Sequence, residues 1–596
     1  MRKGGSGDGT REWLDHLDRN WLSLTLVAWA AYAVWCLYDR SLNIRFLALG
    51  DTDDNMRMMQ VRAWLDGQGW YDLRQYRMNP PRGFDIHWSR IVDLPLAGLI
   101  LFFRLFTTDQ WAERLAAGVA PLLPLGVLAV ALAATARRLI GANGWVPALA
   151  VLPTAATLTS MFMPMRIDHH GWQLACLGVT VAGLCDARQR RGGLTIGIAS
   201  AVSLSIGLEL LPYAAMAGAI IALRWVWDRG EAVRLRSYAL ALGGGATLGF
   251  LLFASEANRV LRCDALTPVW LSAVIVAGGL LLLLARLDPA SRGVRLALAL
   301  AAGAIVAAGF ALLFPQCLTR PEQVSDELQR IWLSNVREAK PIYRHPFRVV
   351  FPLVTLPLIG LIGSAFATWR AWGTRRAVGW AAVALFAAFA CAMLLWQARA
   401  GPAAQLLAVP GAAALAAAAL PWLVRRPWPV RLLGVAALAV LASGSFARLI
   451  VSYTPVDRPK PSVVRVNRAG ARCNALPNLV RLNGYPEQVV FTHVDLGPRL
   501  IATTHHDAVA GPYHRNGDAI LDVHHAFRGS PAEARAIMKR HGATLLLVCP
   551  NFAESTVYRA QAPGGFYDRL ARGGRFGWLE PLPLPKGSPF RLYRIS

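Results

Sequence analysis

The chain has 596 residues, of which 55% are hydrophobic and only 16% charged, and its mean hydropathy is +0.37. Soluble domains carry about 25% charged residues, so the composition excludes an ordinary soluble protein and implies a chain built largely of membrane-spanning segments. The 62 Lys and Arg outnumber the 36 Asp and Glu by 26, but they fall in short runs between apolar segments, the pattern of cytoplasmic loops and not of a face that binds nucleic acid. The eight cysteines form no CxxC or CxxH pair, which excludes a zinc finger.

Crossing the hydrocarbon core as a helix takes ~17 to 25 residues. About thirteen candidate spans lie near 21–38, 113–136, 144–163, 172–186, 193–212, 213–228, 238–254, 269–285, 295–314, 348–368, 378–397, 403–422 and 430–448. Basic runs at Arg137, Arg188 to Arg191, Arg229 to Arg236, Arg292, Arg375 and Arg425 occupy alternate loops, which predicts a cytoplasmic N-terminus. The polar start, without a small-residue cleavage site after its apolar stretch, reads as a retained first span. An odd number of spans puts the tail outside. Residues 1–451 are thus expected to form a polytopic α-helical domain with external loops 39–112, 164–171 and 315–347. Residues 452–596 alternate the apolar runs VVFTHV and ATLLLVCP with the helix-like SPAEARAIMKRHG, the pattern of an α/β extracytoplasmic domain.

Three external segments carry candidate chemistry. GDTDDNMR crowds Asp51, Asp53 and Asp54 ahead of an amphipathic stretch. Asp53 or Asp54 could cap that helix, yet a cap needs one carboxylate, and the surplus calls for a cation. MRIDHHGWQ sets Arg166, Asp168, His169 and His170 between two spans, where ionisable groups are costly and tend to serve function. Asp168 and His170, two residues apart, point the same way in extended backbone and could share one ion. In the third segment, NVREAKP places Glu338 between Arg337 and Lys340, which alone reads as a solvated turn. Arg399 stands by itself in WQARAGP at the outer rim of the bilayer, either snorkelling to headgroups or clamping a phosphate. The tail holds seven of the twelve histidines in no metal-ligand spacing. Cys473 and Cys549 in the tail, and Cys263 and Cys317 in external loops, could each bridge outside the cytoplasm.

Taken together, these positions resemble the catalytic subunit of oligosaccharyltransferase, the STT3 family of GT-C membrane glycosyltransferases. DTDDNMRMMQVRAWLDGQGW and the later NPPRG are similar to that family's first external loop, and Asp168-His169-His170 matches the D-H-H form of its second-loop motif. The resemblance implies a metal bound by Asp51, Asp53, Asp54, Asp168 and His170, expected to be Mg²⁺ or Mn²⁺. It places Glu338 at the family's acceptor-contacting Glu, and gives Arg399 and Arg166 the donor phosphate. Asp54, Asp168 and Glu338 are the expected catalytic residues. Asp495 and Gly497 of THVDLG stand where the family has W-W-D-x-G, which reads the Ser or Thr of an asparagine sequon, but both tryptophans are missing.

The function implied is transfer of a sugar or oligosaccharide from a polyprenyl-phosphate or polyprenyl-pyrophosphate donor to an external glycan, lipid or protein acceptor, with inversion at the anomeric carbon. Such a reaction needs a cation for the departing phosphate and a group that positions or deprotonates the acceptor. The missing tryptophans favour a relative that modifies lipid A, O-antigen or cell-wall polysaccharide. A polytopic transporter of a lipid or glycan would also have many spans, but it would show mid-helix ionisable groups or repeated halves. The location expected is a bacterial inner membrane, with the C-terminal domain in the periplasm.

Overall fold

The computed structural model describes residues 15–319, 321–455 and 459–596. All thirteen predicted spans are helical, in three different ways. Among the described residues, eight helices are long and apolar enough to cross a bilayer: Trp21–Asp39, Asp109–Leu139, Arg229–Phe253, Pro268–Leu287, Arg292–Leu313, Phe347–Arg370, Arg375–Trp396 and Ala398–Val424. Two segments are bent pairs, Trp145–Thr154 with Ala156–Phe162 at 77° and Trp428–Leu441 with Ser445–Tyr453 at 87°. The two bends touch, and a Cβ on Gly444 would come within 2.2 Å of the Thr154 carbonyl, so glycine is required there. The other three, His170–Leu184, Gln189–Ile206 and Leu211–Trp227, have 15, 18 and 17 residues. The middle one packs Gly193 and Gly197 directly against the backbone of Arg234 and Tyr238, a small-residue contact that compensates for a weakly apolar sequence.

The run predicted as a span over 193–212 is shorter than its sequence suggests. Its helix stops at Ile206, and Gly207 is fully extended. The following turn holds Glu209 against the helix His170–Leu184. That helix organises the bundle. At its C-terminal end the basic loops converge, and Arg138, Arg224 and Arg234 donate to the carbonyls of Ala182, Leu184 and Gly183. Such contacts satisfy the orphan carbonyls and complement the negative end of the dipole.

Residues 489–595 contribute a five-stranded mixed sheet, with β3 (Val489–Phe491), β4 (Asp507–Ala508), β5 (Leu545–Val548), β6 (Leu579–Leu582) and β7 (Arg591–Ile595). The order is β4-β3-β5-β7-β6, parallel for the first three and antiparallel for the rest. A hairpin of β1 (Arg74–Gln75) and β2 (Phe84–Asp85) lies in the segment 39–112. Met78 bridges to Ala508, and the Arg77 guanidinium donates to the carbonyls of Ile501, Thr504 and His506 while pairing with Asp507 at 3.0 Å. Met56, Met78, Phe84 and Trp88 share one buried core with Leu500, Leu545 and Leu592. The first loop and the C-terminal domain therefore pack as one body.

Both expected cysteine pairs are bridged, Cys263 to Cys317 and Cys473 to Cys549. The segment after Cys317 docks its helix Asp326–Ile331 on the C-terminal domain, with Leu328 in the core and Glu327 2.7 Å from His525.

Candidate active site

The helix Thr52–Leu65 begins in a capping box. Asp51 is the cap, its carboxylate accepting from the Asp53 amide, while the Asp54 carboxylate accepts from the Asp51 amide at 3.2 Å. The cap is thus Asp51, not Asp53 or Asp54 as the sequence suggested: the helix starts two to three residues earlier, at Thr52, and Asp54 turns inward as its third residue. Fully buried, Asp54 also accepts from the Asp168 amide at 3.1 Å. One carboxylate thereby joins the segments 39–112 and 164–171.

Arg166 lies between them. Its guanidinium is 2.7 Å from Asp51, 3.4 Å from Asp54 and 2.5 Å from Asp168. Asp168 accepts from the His170 amide at 3.0 Å, and His170 Nδ1 is 3.5 Å from the same carboxylate. Burial opposes the charge of Asp168, but His170 and Arg166 outweigh it and hold its carboxyl well below the usual range. Asp53 has the opposite balance: burial, then the charges of Asp51 and Asp168, push its carboxyl up to about 7.

His169 turns to the other side. Arg57, paired with buried Asp93 at 2.7 Å, places a guanidinium nitrogen 3.4 Å from His169 Nδ1. A guanidinium can only donate, so Nδ1 accepts and Nε2 donates to Glu209 at 2.9 Å. Glu209 also accepts from Gln173 at 2.9 Å. The sequence reading missed Glu209 inside an apolar run; the only signal was Gly207 two residues before it.

The C-terminal domain supplies a further wall, also unread from sequence except for Asp495 and Gly497. Tyr513 donates to the Thr52 carbonyl at 2.9 Å, and Arg499 to those of Leu49 and Gly50 at 2.6 and 3.2 Å. For Asp495, burial followed by the Asp51 charge raises the carboxyl. Behind it, Glu554 accepts from the amides of Val494 and Asp495 at 2.9 and 3.1 Å. Gly497 is fixed by packing, since a Cβ there would meet the Ala510 carbonyl at 2.0 Å.

Glu338 and Arg399 form a separate pair. The Arg399 amide donates to the Glu338 carbonyl at 3.0 Å and that of Ala398 to the Lys340 carbonyl at 2.8 Å, with both side chains exposed. Among the described residues, neither side chain contacts the carboxylate cluster. A buried Gln405 on the helix Gly401–Val424 accepts from the amides of Thr157 and Leu158.

No family model and no curated protein matches the chain. Solved structures do. An archaeal oligosaccharyltransferase, AglB from Archaeoglobus fulgidus, in complex with an inhibitory peptide and a dolichol-phosphate, superposes with a TM-score of 0.66 over 97% of this chain and 75% of that one, at 13% identity. The fold is that of the oligosaccharyltransferases. The Archaeoglobus enzyme tethered to an acceptor peptide with the NVT sequon gives a TM-score of 0.65 at 14% identity, over 97% of this chain and 74% of that one. Its complex with Zn and sulfate gives 0.62 at 14%, over 96% and 73%.

A divalent cation suits the site in the kind of donor present. Asp53 has no ion pair or side-chain hydrogen bond among the described residues, and His170 Nδ1 is buried without a hydrogen-bond partner. Carboxylates with one imidazole are ligands for Mg²⁺ or Mn²⁺. Among the described residues, no three acidic, His or Cys side chains are already gathered as a ligand set; the carboxylates close on Arg166 instead.

Proposed function

We propose that this chain is a membrane glycosyltransferase that takes a sugar or oligosaccharide from a polyprenyl-phosphate or polyprenyl-pyrophosphate donor and passes it, with inversion, to an acceptor on the extracytoplasmic side. The observation that carries the reading is the convergence of two external loops and the C-terminal domain on Asp51, Asp53, Asp54, Arg166 and Asp168. A surplus of carboxylates in a cleft above a helical bundle suits a reaction in which a lipid-linked phosphate departs.

Asp53, Asp54, Asp168 and His170 would hold Mg²⁺ or Mn²⁺, which when bound neutralises charge on the phosphate. Arg166 and Arg399 supply guanidinium forks of the kind that grip phosphate oxygens. Glu338, beside Arg399, would orient the acceptor and receive its proton. Asp495 and Gly497 stand on the acceptor side. Without the two tryptophans of the sequon-reading motif, the acceptor is proposed to be a glycan or lipid of the cell envelope, not an Asn-x-Thr peptide. The membrane is proposed to be a bacterial inner membrane, with residues 452–596 in the periplasm. A transporter fits less well, because the charged groups cluster at one end of the bundle against a folded domain.

Mass spectrometry of lipid-linked glycans and envelope polymers from a deletion strain tests this. Accumulation of a polyprenyl-linked glycan, with loss of its sugar from a polymer or lipid, is expected. An unchanged lipid-linked pool would contradict the reading, and glycosylation of Asn-x-Thr peptides by the purified protein would overturn the acceptor class.

A further inference from the structure

Arg166 touches three carboxylates at once, those of Asp51, Asp54 and Asp168. Two observations separate it from an ordinary structural bridge. The first is charge: Asp53 stands beside the same group with no ion pair of its own, so one guanidinium faces four carboxyl groups. The second is the neck of the side chain. Arg166 borders a pocket with room for about one water, lined by Val92, Leu96, Pro121, Pro124, Met161 and Trp172, and its Nε is buried with no hydrogen-bond partner. Its head is held by charge, while its neck is unfastened. At the other end of the bundle Arg234 differs, since its Nε is fixed to Glu231 at 2.6 Å and both its terminal nitrogens are bound to carbonyls, while Arg224 shares the unpartnered Nε but has a single carboxylate, Glu231, to hold it.

We propose that Arg166 is an exchangeable counter-charge: it holds the carboxylates together in the cation-free protein, gives way when a divalent cation binds them, and is then free to pair with the donor phosphate. This rests on the glycosyl-transfer reading above. The physical ground is competition. Two cationic groups cannot share the same carboxylate oxygens, so whatever Arg166 subtracts from cation affinity, the cation subtracts from the hold on Arg166, by reciprocal linkage. A fixed scaffold predicts the opposite sign, because removing it would let like charges spread and weaken the ligand set.

Mn²⁺ binding to the purified full-length protein, followed by electron paramagnetic resonance without donor, separates the two. Arg166→Gln is expected to bind Mn²⁺ about tenfold more tightly than the wild type, and Asp168→Asn to lose the signal. In the wild type, phenylglyoxal labelling of Arg166, read by peptide mass spectrometry, should rise on saturation with Mn²⁺, while buried Arg57 stays unlabelled. This second measurement needs no variant to fold. Equal or weaker Mn²⁺ binding by Arg166→Gln, labelling that stays level or falls, or Mn²⁺ binding unaffected by Asp168→Asn would each overturn the proposal. If neither wild type nor Arg166→Gln binds Mn²⁺, the proposal fails together with the cation, while donor consumption still decides the transfer reading on its own.

Discussion

The two ends of the helix His170–Leu184 carry opposite charge and are built on opposite principles. At its C-terminal end Arg138, Arg224 and Arg234 find carbonyls, and Arg224 and Arg234 also pair with Glu231 at 2.9 and 2.6 Å. At its N-terminal end, four aspartates face one guanidinium and Asp53 lacks an ion-pair partner. A satisfied cluster holds the bundle together. An unsatisfied one is retained against its cost in stability, and that difference distinguishes a site from a scaffold.

Among single substitutions, the largest expected effect on stability tests the scaffold end. Arg234→Gln leaves Glu231 buried beside lost carbonyl contacts, at a cost of about 3 kcal/mol or more. Thermal unfolding in detergent should shift strongly downward while turnover per folded molecule is kept. A stable variant with lost turnover would reverse the assignment of the two ends. Acid acts on two groups at once, and its summed effect is larger. His493 and His524 of the C-terminal domain are pulled down by burial to about 3 and about 4 from an ordinary 6.5, so the neutral rings fit and the unfolded chain takes up protons first. Their stabilisation is complete above pH 6.5 and is lost as pH falls towards 4 and then 3, at ~1.4 kcal/mol per unit for each group. Proteolysis of the C-terminal domain should accelerate across that window, and His493→Phe should flatten the dependence.

Glu209→Gln sharpens the site end. Its loss frees the His169 tautomer next to Asp168, and residues that orient a site in this way affect activity by ~10- to 100-fold. Turnover should fall by that factor with little change in unfolding temperature, whereas an equal loss of both would place Glu209 with the scaffold. The smallest effect is at the seam between domain and loop. Tyr513→Phe removes one hydrogen bond to the Thr52 carbonyl, about 1 kcal/mol, and hydrogen exchange of the Asp51 to Asp54 turn should quicken modestly. Unchanged exchange would show that Arg499 alone holds the seam.

The sequence made much of this legible where signals are local. Apolar length located the thirteen helical segments, the runs VVFTHV and ATLLLVCP contain β3 and β5, and the crowding of Asp51, Asp53, Asp54 and of Asp168-His169-His170 marked both loops of the site. What stayed hidden depends on distant contacts. Arg499 and Tyr513 sit some 450 residues from the turn they hold, and no spacing rule reaches that far. Glu209 was absorbed into a span because one acidic residue barely lowers the hydropathy of an apolar run. Arg166 was read as a phosphate ligand alone, since its three carboxylate partners become visible only once both loops are folded. The bend after Leu441 had a local cue in Ser443-Gly444, a turn pair that apolar length outweighed.

The central claim is that this carboxylate cluster transfers a glycan from a polyprenyl carrier. Its most direct test incubates purified wild type and Asp168→Asn with a polyprenyl-linked glycan and Mg²⁺ or Mn²⁺, and follows donor loss by mass spectrometry after folding has been matched by thermal unfolding. The wild type should consume the donor and release the polyprenyl phosphate or pyrophosphate, and Asp168→Asn should lose several kcal/mol of transition-state stabilisation, a fall of about a thousandfold or more. Equal consumption by the folded variant would contradict the account.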